Sequence, residues 1–355
     1  MQALVKLENF KEKIDSEIEK YFSRVIRETK GIDPITTQAL KYVKKIVLAG
    51  GKRLRPALMY YGYVAVGGKE LKKMLKTSIS IELIHTFLLI HDDIIDRDVI
   101  RHGIDSVNEH YSKIGKKFFP KNDNKHFGNS MAIIFGDMVS ALGNQVIFES
   151  GFDTELVMKA LFKLQSIVSY TVIGQVKDVC IEYAEEAKEK EVLKMYEYKT
   201  AKYTIEGPLH LGAILGGANE AIIKGLSNYA IPIGVAFQIQ DDILGIFGNE
   251  KKLGKMVGSD IAEGKQTILV IKAKEKASNE QKKTINKILG NKNLTKKDIE
   301  TFREIIRDTG ALKYAKDLSK KLVLQGKKYL ENISINKEFL QFLDEIADYI
   351  VEREL

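Results

Sequence analysis

MQALVKLENFKEKIDSEIEKYFSRVIRE, residues 1–28, places Leu4, Leu7, Phe10, Ile14, Ile18, Phe22 and Ile26 at steps of three or four. That spacing keeps the apolar side chains on one stripe of an α-helix and leaves Lys and Glu on the rest. The same period returns over 35–47, 69–95, 128–149, 155–183, 191–215 and 219–246. It continues with more charge over 264–276, 279–289, 296–308, 310–332 and 336–353. Strand-like alternation is nearly absent, and no hairpin signal such as Asn-Gly stands between alternating runs. The chain reads as all-α. Residues 97–127, 184–190 and 247–264 read as loops or charged connections. Pro208 and Pro232 fall inside helical patterns and are expected to bend them. No Ser/Gly-rich linker divides the 355 residues, so they read as a single domain, with an N-terminal helix over 1–30 and a loop insertion over 113–127.

Composition narrows the function. A hydrophobic fraction of 44% excludes disorder over most of the chain. The lone Cys180 excludes an internal disulfide framework and a Cys-rich zinc site, fits a reducing cytoplasm, and reads as a core residue. The first residues carry no charged-then-apolar leader. The apolar stretches look interrupted too early to span a bilayer, one by Glu82 and His85, another by Asp137 and Asn144. A soluble, cytoplasmic protein with no stable membrane insertion is expected. The net charge of +8 is spread along the chain with no Arg/aromatic platform, so nucleic acid is not an expected partner.

Three stretches could carry chemistry. HDDIIDRD, His91 to Asp98, ends the apolar run ISIELIHTFLLI. On a helix, Asp92 and Asp96 share a face, with Asp93 about 100° round. Carboxylates crowded at the end of an apolar helix need neutralising, and a hard divalent cation with oxygen ligands does this. FQIQDDILG, Phe237 to Gly245, repeats the arrangement with Asp241 and Asp242. GGKRLRP, Gly50 to Pro56, sets Lys52, Arg53 and Arg55 at a helix start, where cations and open N–H groups favour phosphate. It is not a Walker-type loop. Arg97, Arg101 and His102 follow the first acidic run, and Lys199, Thr200, Lys255 and Lys265 flank the second. Acids and cations in this mixture imply metals and a substrate carrying several phosphates.

With these residues in view, the chain resembles the trans-isoprenyl diphosphate synthases, the head-to-tail prenyl elongases also called polyprenyl synthetases. GGKRLRP, IHTFLLIHDDIID (84–96), RHG (101–103), GQVKD (174–178), YKTAKYT (198–204), FQIQDDILG and GKMVGSDIAEGKQT (254–267) stand in that family's order. The details look most like archaeal-type short-chain members. The resemblance implies an isoprenoid-synthase-type helical bundle around a central cavity, a homodimer, and about three Mg²⁺ per site, with Mn²⁺ able to substitute. It implies isopentenyl diphosphate gripped by Lys52, Arg55 and His85, with His102 where the family often has a second arginine. It implies the allylic diphosphate met by Arg101, Lys199, Thr200, Gln238, Lys255 and Lys265. Asp92, Asp96 and Asp241 would hold the metal, Asp242 would support, and Gln175 and Asp178 match the family's GQxxD element.

The implied reaction is condensation of isopentenyl diphosphate with an allylic diphosphate to a short prenyl diphosphate, with geranylgeranyl ahead of farnesyl. Phe87 and Leu88, five and four residues before Asp92, would floor the tail pocket, and Ile84 would be the next barrier. A terpene cyclase is disfavoured because GGKRLRP and His85 provide a second diphosphate site. A non-catalytic regulatory subunit is disfavoured because the acidic motifs are kept. Gly245 replaces the family's third aspartate, a departure expected to be tolerated. His91 reads as structural or as a support behind the site residues, and Tyr203 and Phe237 as core.

Overall fold

The computed structural model describes residues 2–184, 186–248 and 258–352. They form two compact units, Met1–Leu161 with Gly212–Gly217, and Phe162–Leu211 with Ala218–Leu355. Both are helical; among the described residues the only strands are a pair of two-residue pieces.

In the first unit, α1 (Gln2–Thr29) buries Leu7, Phe10, Ile14, Ile18 and Phe22, the stripe set by its sequence. α2 (Pro34–Ala49) starts with Pro34 in its first turn and the Asp33 carboxylate accepting from Thr36 N at 2.6 Å. α3 is Leu54–Ala65. The pattern over 69–95 is not one helix but two, α4 (Leu71–Thr77) and α5 (Ile79–Ile95). The break falls at Ser78, whose hydroxyl donates to the Leu75 carbonyl at 2.8 Å and so competes with the helical ladder.

Residues 97–127 are more ordered than a loop. Ile100–Arg101 (β1) pairs antiparallel with Ile104–Asp105 (β2) across a two-residue turn at His102 and Gly103, with φ of 52° and 77°. That is a primed hairpin turn, and His tolerates the left-handed region better than bulkier residues. Helix α6 (Val107–Phe118) follows, burying Val107, Asn108, Tyr111 and Gly115; its four lysine and glutamate neighbours masked the period. α7 is Asn124–Phe148, capped by Asp123. It runs antiparallel to α5. A Cβ at Gly136 would lie 2.3 Å from His91 Nε2, and one at Gly143 would lie 3.0 Å from Ile84 Cδ1, so these glycines are what allow the close approach.

The second unit begins within α8 (Thr154–Tyr183), whose residues from 162 onward belong to it. The segment expected as one helix over 191–215 is three: α9 (Glu189–Tyr196), a π-helix over Glu197–Glu206, and α10 (Gly207–Leu215). The π-helix is held by two glycines. A Cβ at Gly174 of α8 would lie 2.2 Å from Lys199 N, and one at Gly234 would lie 2.4 Å from Ala201 Cα. Gly234 belongs to α11 (Glu220–Phe247), which contains Pro232. Then come α12 (Ser259–Glu263), α13 (Ile268–Lys276), α14 (Asn279–Ile288), α15 (Lys296–Asp308), α16 (Ala311–Leu330) and α17 (Lys337–Glu352). Capping boxes at Ser278 and Thr295 start α14 and α15. Tyr196, Ile239, Ile243, Phe302 and Ile306 lie in the core of this unit.

The expectation that every apolar stretch is too interrupted to span a bilayer is corrected for three helices. α7, α8 and α11 each contain an 18-residue window with no more than two charged residues, enough to cross a membrane by length and composition. A single Asp137 does not interrupt α7. The window in α11 is 72% buried inside the protein, against 39% in α7 and 33% in α8. Cys180, expected in the core, is exposed on α8.

Candidate active site

The first unit places GGKRLRP, the His85 helix and the first acidic run together. Arg53 departs from the sequence reading. Its side chain is buried rather than offered to a ligand. Its Nε donates to Asp15 Oδ1, one Nη to Glu82 Oε1 and the other to the Val47 carbonyl, each at 2.6 Å. These bonds hold a non-glycine residue at φ 54°, ahead of α3, in the sparsely populated left-handed region. Lys52 is exposed and Arg55 half-buried. An Arg55 guanidinium nitrogen lies 3.2 Å from His85 Nε2. Because guanidinium only donates, His85 Nε2 accepts, and its proton sits on Nδ1. Burial first, then the charges of Arg55, His102, Arg101 and Arg53, holds the His85 imidazole well below its ordinary pKa, so it is neutral. Burial, Arg101 and Arg53 lower His102 as well. Its ring packs on Gly50, where a Cβ would lie 2.7 Å from the ring atoms.

Asp92, Asp93 and Asp96 end α5. Asp93 is buried, whereas Asp92 and Asp96 are only partly buried and lie four residues apart on one face. Arg101 reaches back from the hairpin, donating to Asp93 from Nε at 2.8 Å and also from Nη2, which donates in addition to Asp98 Oδ2 at 2.9 Å. Burial alone would lower the Arg101 pKa; Asp93 and Asp98 more than reverse that and keep it charged. Among the described residues no three His, Cys, Asp or Glu side chains form a metal cage. The Asp92/Asp96 pair fits a hard cation that also takes oxygens from a ligand, because two carboxylates leave most of an octahedral shell open. The His91 ring is 3.2 Å from the Ile133 carbonyl and meets Phe87 edge-on at 4.9 Å. Phe87 and Leu88 are half-buried and Ile84 is fully buried.

In the second unit the π-helix aims the Lys199 and Thr200 side chains. Lys199 Nζ donates to Asp178 Oδ2 at 2.5 Å, and Lys265 Nζ reaches the same oxygen at 3.2 Å. Burial would raise the Asp178 carboxyl, but the two ammonium groups hold it below its usual range. The GQVKD element thus has a physical reading: Gly174 lets α8 touch the π-helix, and Asp178 takes its lysine. Thr200 Oγ1 donates to Gln238 Oε1 at 2.5 Å, and Gln238 Nε2 donates to Asp242 Oδ1 at 2.8 Å. Tyr196 donates its hydroxyl to the other Asp242 oxygen and accepts from Ile268 N at 2.9 Å. Burial pushes the Asp242 carboxyl up to about 8 against those bonds, with Asp260 and Asp241 adding to the rise. Asp241, one residue back, is only partly buried. Tyr203 is core, as read, while Phe237 is only partly buried. Lys255 lies outside the described residues.

Sequence reasoning missed Tyr196 and Asp260. Nothing local marks the tyrosine; the aspartate stands in GKMVGSDIAEGKQT with no pattern to aim it. Asp260 also bears on Gly245, the departure from a third aspartate that is expected to be tolerated. A Cβ at Gly245 would lie 2.4 Å from Asp260 Oδ2. Gly245→Asp therefore displaces Asp260 and crowds a second negative charge beside buried Asp242. Turnover is expected to fall about tenfold or more, with about 1–3 kcal/mol of stability lost to overpacking. Gly245→Ala should lose much less. Steady-state rates and melting temperatures of the two variants check this, and wild-type turnover in Gly245→Asp would show that Asp260 yields freely.

The chain is similar to known proteins in both sequence and structure. The chain is 36% identical to a geranylgeranyl diphosphate synthase of Saccharolobus solfataricus over 308 residues, 86% of this chain and 87% of that protein. It is 34% identical to a short chain isoprenyl diphosphate synthase of Methanothermobacter thermautotrophicus over 100% of this chain and 99% of that one. A Corynebacterium glutamicum geranylgeranyl pyrophosphate synthase, crystallised with isoprenyl diphosphate and magnesium, superposes with a TM-score of 0.93 at 31% identity, covering 98% of this chain and 99% of that one. Residues 36–306 match the polyprenyl synthetase family, a span that holds both acidic runs and GGKRLRP. With its helices, acid pairs and cations all in that frame, the chain belongs to the polyprenyl synthetase family.

Proposed function

We infer that this protein is a prenyltransferase that condenses isopentenyl diphosphate head to tail with an allylic diphosphate to make geranylgeranyl diphosphate. The observation that carries the reading is the end of α5: Asp92 and Asp96 on one face, beside Arg55 and His85 in the same unit. In that unit Lys52, Arg55 and neutral His85 bind the diphosphate of isopentenyl diphosphate, and His102 lines it. Arg101 keeps positive charge at the acidic end of α5 while it anchors Asp93. In the second unit Lys199 and Lys265 meet the allylic diphosphate, as does Lys255 by resemblance. Thr200 and Gln238 present oxygens to the allylic cation, and Asp242 steadies Gln238. Asp92 and Asp96 in the first unit, and Asp241 in the second, would hold Mg²⁺. When bound, Mg²⁺ neutralises the departing diphosphate. Substrate orientation supplies much of the remaining rate. Incubation with labelled isopentenyl diphosphate, each allylic starter and Mg²⁺, followed by separation of the dephosphorylated alcohols, tests the reading. No alcohol longer than the starter would overturn it.

The expected length rests on α5. Leu88 and Phe87 stand about 6 and 7.5 Å below Asp92 along the helix axis. Ile84 is locked against Gly143 one turn further down. Phe87→Ala should lengthen the products. Since Phe87 is only half-buried, its stability loss should stay below the ~3–5 kcal/mol of a fully buried ring. An unchanged distribution of alcohols would place the floor elsewhere. The protein acts as a homodimer in this reading. Exposed apolar side chains on α7 (Ile133, Ile134) and on α8 (Phe162, Val176) support that. Light scattering from the purified protein checks it.

A further inference from the structure

The tip between α6 and α7 carries a surface that the proposed reaction does not use. Phe118 and Phe119 are 64% and 50% exposed. Lys116, Lys117, Lys121 and Lys125 stand exposed around them, and no ion pair engages any of the four among the described residues. The Lys117 ammonium lies 5.3 Å from the centre of the Phe118 ring. Asp123, the acid of this stretch, is turned into the start of α7, where it accepts from His126 N at 3.0 Å.

The tip is built rather than loose. Phe119 N donates to the Gly115 carbonyl at 2.6 Å, and Asn122 N donates to the Phe119 carbonyl at 3.0 Å. The Phe119 ring meets Phe127 edge-on at 5.6 Å. A Cβ at Gly115 would lie 2.8 Å from Asn124 Oδ1 and from the Phe127 ring, so that glycine lets the two helices close.

Its place in the unit follows from helix geometry. Gly136 of α7 is level with His91 of α5, and the two helices run antiparallel. From Gly136 back to Asn124 the axis rises about 18 Å, whereas from His91 forward to Asp96 it rises about 7.5 Å. The tip therefore stands about 10 Å beyond the acidic end of α5, at the same end of the unit.

We propose that this tip docks reversibly on an anionic membrane surface. The two rings enter the headgroup layer and the four lysines face lipid phosphates. No helix inserts. An apolar anchor and a polybasic patch are each weak alone, and together they give stable but reversible attachment. A second copy of the chain is a poorer occupant, because a two-fold contact would set the same lysines against each other. The use of the surface rests on the proposed function. A product with a long hydrocarbon tail and a diphosphate head partitions into bilayers, and docking presents the acidic end of α5 to that layer.

Vesicle co-sedimentation without substrate tests the docking apart from the chemistry. Wild-type protein should bind phosphatidylcholine vesicles containing about a third phosphatidylglycerol, bind neutral vesicles far less, and release as salt rises. Phe118→Ser with Phe119→Ser, and separately Lys116→Gln with Lys117→Gln, should each weaken binding about tenfold or more, a lysine near such a surface being worth about fivefold. Turnover of dissolved short substrates should stay at wild-type level in both. Equal binding to neutral and anionic vesicles, or variants that bind like wild type, would overturn the proposal. So would a change of oligomeric state in the Phe variant, which marks a contact between copies. Capture of a single-stranded oligonucleotide in place of vesicles would overturn it too.

Discussion

Alanine at Asp92 should lower turnover at least about 100-fold and leave the fold intact, the size of loss seen when one stabiliser of transition-state charge is removed. The reason lies in where the acids stand. The C-terminal turn of a helix carries the negative end of its macrodipole. α5 puts Asp92, Asp93 and Asp96 there together. Arg101 answers Asp93. The partly buried pair on the neighbouring face suits a hard divalent cation. Three acids within five residues at the negative end of a helix repel one another, so Asp92→Ala should melt at or above the wild-type temperature while it loses rate. That opposite movement separates a ligand-holding acid from a structural one. Asp96→Ala and Asp241→Ala should lose turnover similarly. Near-normal turnover in folded Asp92→Ala protein would sink the assignment.

Arg53→Ala should act the other way, through stability. Removing one partner of a buried ion pair leaves the other charge uncompensated, typically at about 3–5 kcal/mol. Arg53 serves two carboxylates and a carbonyl at once. Glu82, buried in α5, would be left without its cation. Lysine should recover little, since it cannot reproduce a fork that donates in three directions. Urea unfolding of wild type, Arg53→Ala and Arg53→Lys measures this. If Arg53→Ala unfolds like wild type and instead raises the KM for isopentenyl diphosphate, Arg53 is a ligand residue and the buried network is incidental.

The fold class was legible because apolar period survives in a single sequence, as α1 shows. The breaks were less so. Ser78 divides α4 from α5 through one hydroxyl that the period does not register. The hairpin at 100–105 is too short to alternate. The acid pairs were legible because buried carboxylates need an answer wherever they occur. Arg53 was read as a ligand cation because a left-handed residue sends its side chain where helical spacing does not point. The clue lay in Glu82: a carboxylate inside so apolar a helix calls for a buried cation. Asp260 and Gly245 meet through tertiary packing alone, and no spacing rule joins them. The roles of Lys199 and Asp178 could be guessed from resemblance, but their shared bond depends on a backbone contact at Gly174.

The π-helix over Glu197–Glu206 bears on which changes of length this gene can accept. A helix with i→i+5 bonding holds more residues per turn than an α-helix of the same height. Losing one codon there would let the segment relax toward α-geometry and be absorbed locally, whereas the same loss from a regular α-helix would turn every side chain beyond it by about 100°. Lys199 and Thr200 precede most of the segment, while Glu206 and the helix after it follow. A deletion here would therefore be taken up between the two groups. Point substitutions leave that phase alone. An alignment that forces this stretch onto a straight helix must open a gap inside it, and a gap placed in the nearest loop instead would pair the wrong residues across Gly174 and Gly234.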